Sequence, residues 1–232
     1  MIGSAGAIAA GAALMTYVVR SPYSSLLGPS AYRGPRHRRE IALTFDDGPT
    51  PGTLQLLSLL REEHVAATFF MCGANVDRHP GIARAVAESG HEIANHSYSH
   101  ARFWLRSVSF IEQELSRAQE SIQEHTGVCP TLCRPPYGVR WFGMRGIQRR
   151  LGVLSVMWTV LALDWKLPAD QIAGRVLSAS CNGAIVCLHD GRELDPDPDI
   201  SPTLEAVRRL IPLLRREGFE FRTVSSLLWP KN

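Results

Sequence analysis

The sequence predicts an α/β domain with a mainly parallel sheet or barrel. Apolar runs of strand length recur along the chain, amphipathic segments of helical period separate them, and polar clusters close several of the runs. The chain has 232 residues, 45% of them hydrophobic and 20% charged. That length suffices for one domain with a sizeable core. A formal net charge of +3, with no basic stripe interleaved with aromatics, gives no nucleic-acid footprint.

The first element is an apolar helix. Residues 2–19, IGSAGAIAAGAALMTYVV, carry no charge and stand at the lower length limit of a membrane span. Three readings stay open. A membrane anchor fits, and Ala7 and Gly11 have the spacing that lets helices approach closely. A cleaved signal is weakened because no Lys or Arg precedes the run. A soluble helix is the third, since Ala and Gly drive insertion only weakly. The expectation is a single N-terminal span over residues 1–20 that associates the protein with a membrane. Arg20, Arg33, Arg36, Arg38 and Arg39 all follow the run, a bias that favours the cytoplasmic face. An extracytoplasmic domain stays open. Residues 21–38, with Pro22, Gly28, Pro29, Gly34 and Pro35, read as a linker. Residues 39–230 then form one catalytic-size domain, expected to be monomeric.

Within that domain IALTF (41–45), AATFFM (66–71), VLSVMW (153–158) and AIVCL (184–188) have strand length and composition. FEFRTV (219–224) alternates in part and is expected as a further strand. Ile111, Leu115, Ala118 and Ile122 share one helical face, as do Leu204, Val207, Leu210, Ile211 and Leu214. The five cysteines, Cys72, Cys129, Cys133, Cys181 and Cys187, are too few and scattered for a disulfide framework. Cys129 and Cys133 have the spacing of half a zinc site, but no second pair stands nearby.

Function in such folds collects where strands end. The polar punctuation there is DDGP (46–49), NHSYSH (95–100), RPPYG (134–138), LDW (163–165) and LHDG (188–191). His96 and His100 lie on one face if helical, and a tight loop also brings them together. Two imidazoles and one carboxylate leave a metal with an open position for water. At the end of a strand, Asp46 and Asp47 point in different directions. One carboxylate is thus free to bind the ion while its neighbour takes a proton as general base. Gly48 and Pro49 supply the tight turn between them and the next helix.

These residues, TFDDGP, HSYSH, RPPYG, LDW and LHD in that order, resemble the polysaccharide deacetylase (NodB-homology) family, also called carbohydrate esterase family four. The resemblance spans residues 38–228 and implies a distorted (β/α) barrel. It implies Asp47, His96 and His100 as ligands of a divalent metal, most often Zn2+ and sometimes Co2+ or another ion. Asp46 resembles the catalytic base, and Arg134 the cation that pairs with it and orients it. The Tyr137 backbone N–H would stabilise the oxyanion. His189 would protonate the leaving amine, with Asp164 tuning its charge state. Trp165, Leu188 and Pro136 would line the pocket for the acyl methyl.

The implied activity is metal-dependent removal of an N-acetyl group from an amino sugar in a polysaccharide, oligosaccharide or lipid-linked glycan. An O-acetyl esterase on the same scaffold and a non-catalytic glycan-binding member are the alternatives. The fourth motif departs from the family, which commonly has an Asp where this chain has Leu161. Cys133 stands where an aromatic often precedes the Arg-Pro motif. Cys187 replaces an aliphatic residue and is expected to act as a small hydrophobe.

Overall fold

The computed structural model describes residues 2–230. Nine strands form one sheet: β1 (Ser30–Ala31), β2 (Glu40–Asp46), β3 (Thr68–Met71), β4 (Glu92–Asn95), β5 (Leu132–Cys133), β6 (Leu154–Val156), β7 (Val160–Leu161), β8 (Ala184–His189) and β9 (Glu220–Phe221). The helices are α1 (Ile2–Arg20), α2 (Pro51–Glu62), α3 (Gly73–Arg78), α4 (Pro80–Glu88), α5 (Val108–Thr126), α6 (Met144–Leu151), α7 (Ala169–Ala179), α8 (Ser201–Arg216) and α9 (Val224–Leu228). The order across the sheet is β1-β6-β5-β4-β3-β2-β8-β7, with β9 also on β2. The strand pairs are parallel, so all strands end at one rim, as the predicted fold class requires.

Alternation along β2 explains how the rim acquires its chemistry. Ile41, Leu43 and Phe45 face the helices and join the main core with α2, α7 and α8. Ala42 faces inward and packs with Phe70, Ala94, Leu132, Val156 and Ile185 at the bottom of the barrel. Two residues on is Thr44, and two more is Asp46 at the open end. All seven residues of β2 are buried, so the strand is a continuous run covered on both faces.

Local signals account for the helices. Ser107 caps α5 by accepting the Phe110 N–H at 3.2 Å, and Gly127 ends it in the left-handed conformation at φ 73°. Pro51 opens α2 behind Thr50, whose N–H donates to Thr53 Oγ1 at 2.9 Å. FEFRTV is strand only over Glu220–Phe221, which pair with Glu40 and Ile41. Thr223 instead caps α9, whose Val224 and Leu227 plug the bottom of the barrel.

The segment expected as a linker is a structural part of the domain. β1 pairs with β6, and Arg33 bridges Ala184 of β8. Residues 30–33 therefore span the gap that the sheet leaves between β6 and β8. Arg33 Nε donates to the Asn182 carbonyl at 2.9 Å, and the Gly34 N–H to that of Gly183 at 2.8 Å. Pro and Gly here shape a packed crossing, a use that composition cannot distinguish from a free tether.

The N-terminal run forms α1. No helix among the described residues is long and apolar enough to cross a membrane, so the span expected over residues 2–19 is not found. The end of α1 lies against the domain instead. Val19 is fully buried with Leu27 and Val139. Arg140, also buried, donates its N–H to the Val19 carbonyl at 3.1 Å and its guanidinium to the Ser21 and Ser24 carbonyls. Those carbonyls at and beyond the helix end are ready acceptors for a cation.

Arg140→Met leaves the Ser21 and Ser24 carbonyls without their guanidinium donor, at a cost of about 1–3 kcal/mol for unsatisfied buried groups. We expect faster amide exchange over residues 19–27 with the β2–β3 core still protected. Exchange mass spectrometry together with urea unfolding checks both.

Candidate active site

The C-terminal ends of β2, β4, β5, β7 and β8 surround a cavity of about 410 Å³. Asp46, Asp47, His96, His100, Tyr137, Trp165 and His189 line it. Arg134 and Asp164 lie directly behind Asp46 and His189.

Asp46 is buried and held from one side. Its Oδ1 accepts from Arg134 Nη1 at 2.6 Å, and its Oδ2 accepts from the Cys187 thiol at 3.4 Å. Arg134 is fully buried. It also donates to Thr44 Oγ1 at 2.8 Å and to the Val156 and Met157 carbonyls, each at 3.1 Å, with its guanidinium carbon 3.9 Å from the centre of the Phe70 ring. Cys187 thus does more than fill space, contrary to expectation. Burial first, then the neighbouring Asp46 charge, pushes its thiol well above the ordinary range, so it remains a protonated donor.

Asp47 turns the other way. Its Oδ2 accepts the Glu193 N–H at 2.8 Å. Its Oδ1 lies 3.3 Å from His96 Nε2 and 3.1 Å from His100 Nε2. His96 and His100 sit in the bent loop after β4 rather than on a helix, so the tight-loop reading of the pair is the correct one. His96 donates Nδ1–H to the Arg134 carbonyl at 2.7 Å, which leaves the Nε2 lone pair aimed at the cavity. Burial works against the Asp47 charge, but the facing imidazoles of His100 and His96 outweigh it and hold the carboxyl well below its usual value.

These donors fit a metal. The ligand atoms of Asp47, His96 and His100 lie within 4.8 Å of one another, and Asp47 Oδ1 is buried with no hydrogen-bond donor. A buried acceptor facing an imidazole lone pair is favourable only if a cation sits among them. Cys129 is exposed and Cys133 buried, and all five cysteines are free. The Cys129/Cys133 half-site is absent from the metal-competent groups of the described residues.

Across the cavity, His189 Nδ1 donates to Asp164 Oδ1 at 2.8 Å. Asp164 Oδ2 accepts the His189 N–H at 2.7 Å and the Thr203 hydroxyl at 2.8 Å. Burial disfavours the imidazolium. The Asp164 charge and hydrogen bond outweigh that, with help from Asp47 and Asp46, and raise the imidazole to about 9. Trp165 packs edge-on against the ring, with centroids 4.9 Å apart.

Two predicted lining residues are elsewhere. Leu188 is fully buried in the helix-facing core, because Val186 and Leu188 point out of the barrel while Cys187 and His189 point in. Pro136 is buried beneath the cavity surface and does not line it. Trp158 and Leu161 supply the apolar wall instead. Leu161 thus occupies the wall at the position where the family commonly has an Asp.

Sequence reading also missed a polar frame. Asp190 accepts from Thr53 Oγ1 at 2.6 Å and from the Gly48 N–H at 3.2 Å. A Cβ on Gly48 would lie 2.1 Å from Asp190 Oδ2, so this turn must be glycine. Asn75 Nδ2 donates to the Asp47 carbonyl at 2.7 Å and to that of Glu193 at 2.9 Å. No local motif marks Asn75, whose partners are remote in sequence.

The polysaccharide deacetylase family model matches residues 33–156. A peptidoglycan-N-acetylglucosamine deacetylase of Bacillus cereus is 32% identical over 199 residues, covering 85% of this chain and 71% of the relative. A chitooligosaccharide deacetylase of Rhizobium leguminosarum bv. trifolii is 36% identical over 197 residues, covering 80% of this chain and 90% of the relative. A crystal structure of a peptidoglycan N-acetylglucosamine deacetylase bound to an N-hydroxybenzamide superposes with a TM-score of 0.82 at 31% identity, covering 87% of this chain and 94% of that one. With its motifs gathered at one rim and its sheet matching these relatives, the chain belongs to the polysaccharide deacetylase family of hydrolases.

Proposed function

We propose that this protein hydrolyses the N-acetyl group of N-acetylglucosamine residues in a glycan, with zinc held by Asp47, His96 and His100. The observation that carries this reading is the buried Asp47 Oδ1 facing two imidazole Nε2 atoms, beside a separately held Asp46. The names of the relatives, peptidoglycan and chitooligosaccharide deacetylases, support the substrate class. One carboxylate and two imidazoles with room for a further ligand suit zinc.

A divalent ion so held acidifies water and polarises a carbonyl oxygen. The chain's own groups supply the rest. Asp46 takes the proton of the attacking water while Arg134 fixes its orientation. The Tyr137 N–H, which makes no backbone hydrogen bond among the described residues, donates to the oxygen on which negative charge builds. His189, tied through Nδ1 to Asp164, gives its Nε2 proton to the departing amine. Trp158, Leu161 and Trp165 exclude water around the methyl group.

Acetate release from chitotetraose, peptidoglycan and acetylxylan tests the reading. Release from the first two supports it, whereas release from acetylxylan alone points to an esterase and sinks it. Asp46→Asn should lower turnover by about 10²–10⁴, the usual contribution of a positioned base, with zinc content unchanged. His96→Ala and His100→Ala should each reduce bound zinc at equal folded yield, read by elemental analysis, and a chelator should abolish wild-type turnover reversibly.

The rate should fall as pH rises and His189 loses its proton. A bound dication offsets the contributions of Asp46 and Asp47, so the alkaline limb lies at or below about 9. Asp164→Asn removes the largest influence favouring the imidazolium and should move that limb to lower pH. A pH–rate profile of both proteins decides the assignment, and an unmoved limb refutes it.

A further inference from the structure

A second groove, of about 610 Å³, adjoins the cleft. Arg20 and Tyr137 line both, and Arg102, Trp104, Leu105 and Arg106 line the second alone. No acidic side chain lines it. Arg20, Arg102 and Arg106 form no ion pair among the described residues. Aromatic faces hold two of them: Arg102 lies 4.7 Å from the Tyr137 ring centre and Arg106 lies 4.9 Å from that of Phe110. Arg20 is presented from fixed backbone, because Val19 is buried and Arg140 holds the carbonyls on either side of Arg20.

The two depressions differ in charge. The cleft mixes both signs: Asp46, Asp47 and Glu193 line it together with Arg20 and Arg192, and Tyr137 Oη donates to Glu193 at 2.7 Å. The neighbouring groove holds only positive charge, beside the exposed faces of Trp104 and Leu105. Like charges brought together repel one another and are relieved by an anion. A guanidinium fork matches a carboxylate or phosphate, and an indole face suits a sugar ring.

We propose that this groove is a subsite for a carboxylate or phosphate carried by the glycan next to the acetylated sugar. The substrate class is thereby an anionic N-acetylated glycan rather than a neutral one. This inference rests on the deacetylase reading for the adjoining cleft. Arg20 makes the end of the N-terminal helix a specificity element.

Calorimetric titration of the zinc-loaded full chain tests it with two matched pairs of probes. One pair is chitotetraose against the N-acetylglucosamine–N-acetylmuramic acid tetrasaccharide, whose lactyl groups supply carboxylates. The other is N-acetylglucosamine against its 1-phosphate. In at least one pair the anionic member should bind about tenfold tighter at low salt, the order expected of charge-assisted contacts. That advantage should shrink in 0.5 M NaCl, roughly the range where surface charges are screened, and vanish in the R20Q/R106Q double variant. The pair that responds identifies the source of the anion. Equal affinities within both pairs, or an advantage that survives in the double variant, overturn the subsite. Binding does not require turnover, so a protein that discriminates these probes yet releases no acetate refutes the deacetylase reading alone.

Discussion

Arg134 carries its charge where no water reaches it, and the site is arranged around that fact. Desolvating a guanidinium costs several kcal/mol, roughly, unless its hydrogen bonds are satisfied. Here the partners are a carboxylate, a hydroxyl and two carbonyls, with the Phe70 ring beneath. They come from β2 and from the end of β6, while Arg134 itself follows β5. A single buried cation therefore fixes the mutual height of three strands. Its own carbonyl accepts from His96, so the same residue also aims a ligand on a fourth. Removing the guanidinium would leave Asp46 buried and unpaired, which is why the pair behaves as a unit.

Backbone geometry repeats that tension. Asp47, His100, Tyr137 and Glu193 all line the cleft and all have positive φ, between 53° and 76°. Non-glycine residues take that conformation at a cost, and persist there when the surroundings over-determine it. The determinants are visible: Asn75 on the Asp47 and Glu193 carbonyls, and Asp190 beneath the Gly48 turn. Stability spent on these loops is set against the large helix-facing core under β2 and β8.

Much of this was legible in the sequence, for definite reasons. The strands β2 and β8 are covered on both faces, so they read as unbroken apolar runs ending in acids and histidine. The amphipathic faces of α5 and α8 follow the helical period because one side of each packs on the sheet. The short strands β1, β5 and β7 were not legible, since two residues carry no periodicity. Leu188 was misplaced because composition marks it as apolar without saying which way the strand alternates. Asn75 acts through partners distant in sequence and leaves no local trace, while Asp190 closes the LHD motif without the motif telling that it holds the Gly48 turn. The segment 21–38 looked like a tether because proline and glycine serve packed crossings and free linkers alike.

That crossing also sets a temporal order. Thr159 Oγ1 donates to the Tyr32 carbonyl from 127 residues away, and Arg33 reaches Asn182 across 149. A chain emerging from a ribosome therefore makes its first strand long before either neighbour exists. Contacts of such separation carry the largest loop-closure penalty and form after the local ones. Pairing of β1 with β6 is one such contact, and β6 has a bare edge until it forms. The groove beside Arg20 is of the same kind, since its wall joins Arg20 to residues 102–106, Tyr137 and Val139, so it too waits on contacts between segments remote in sequence.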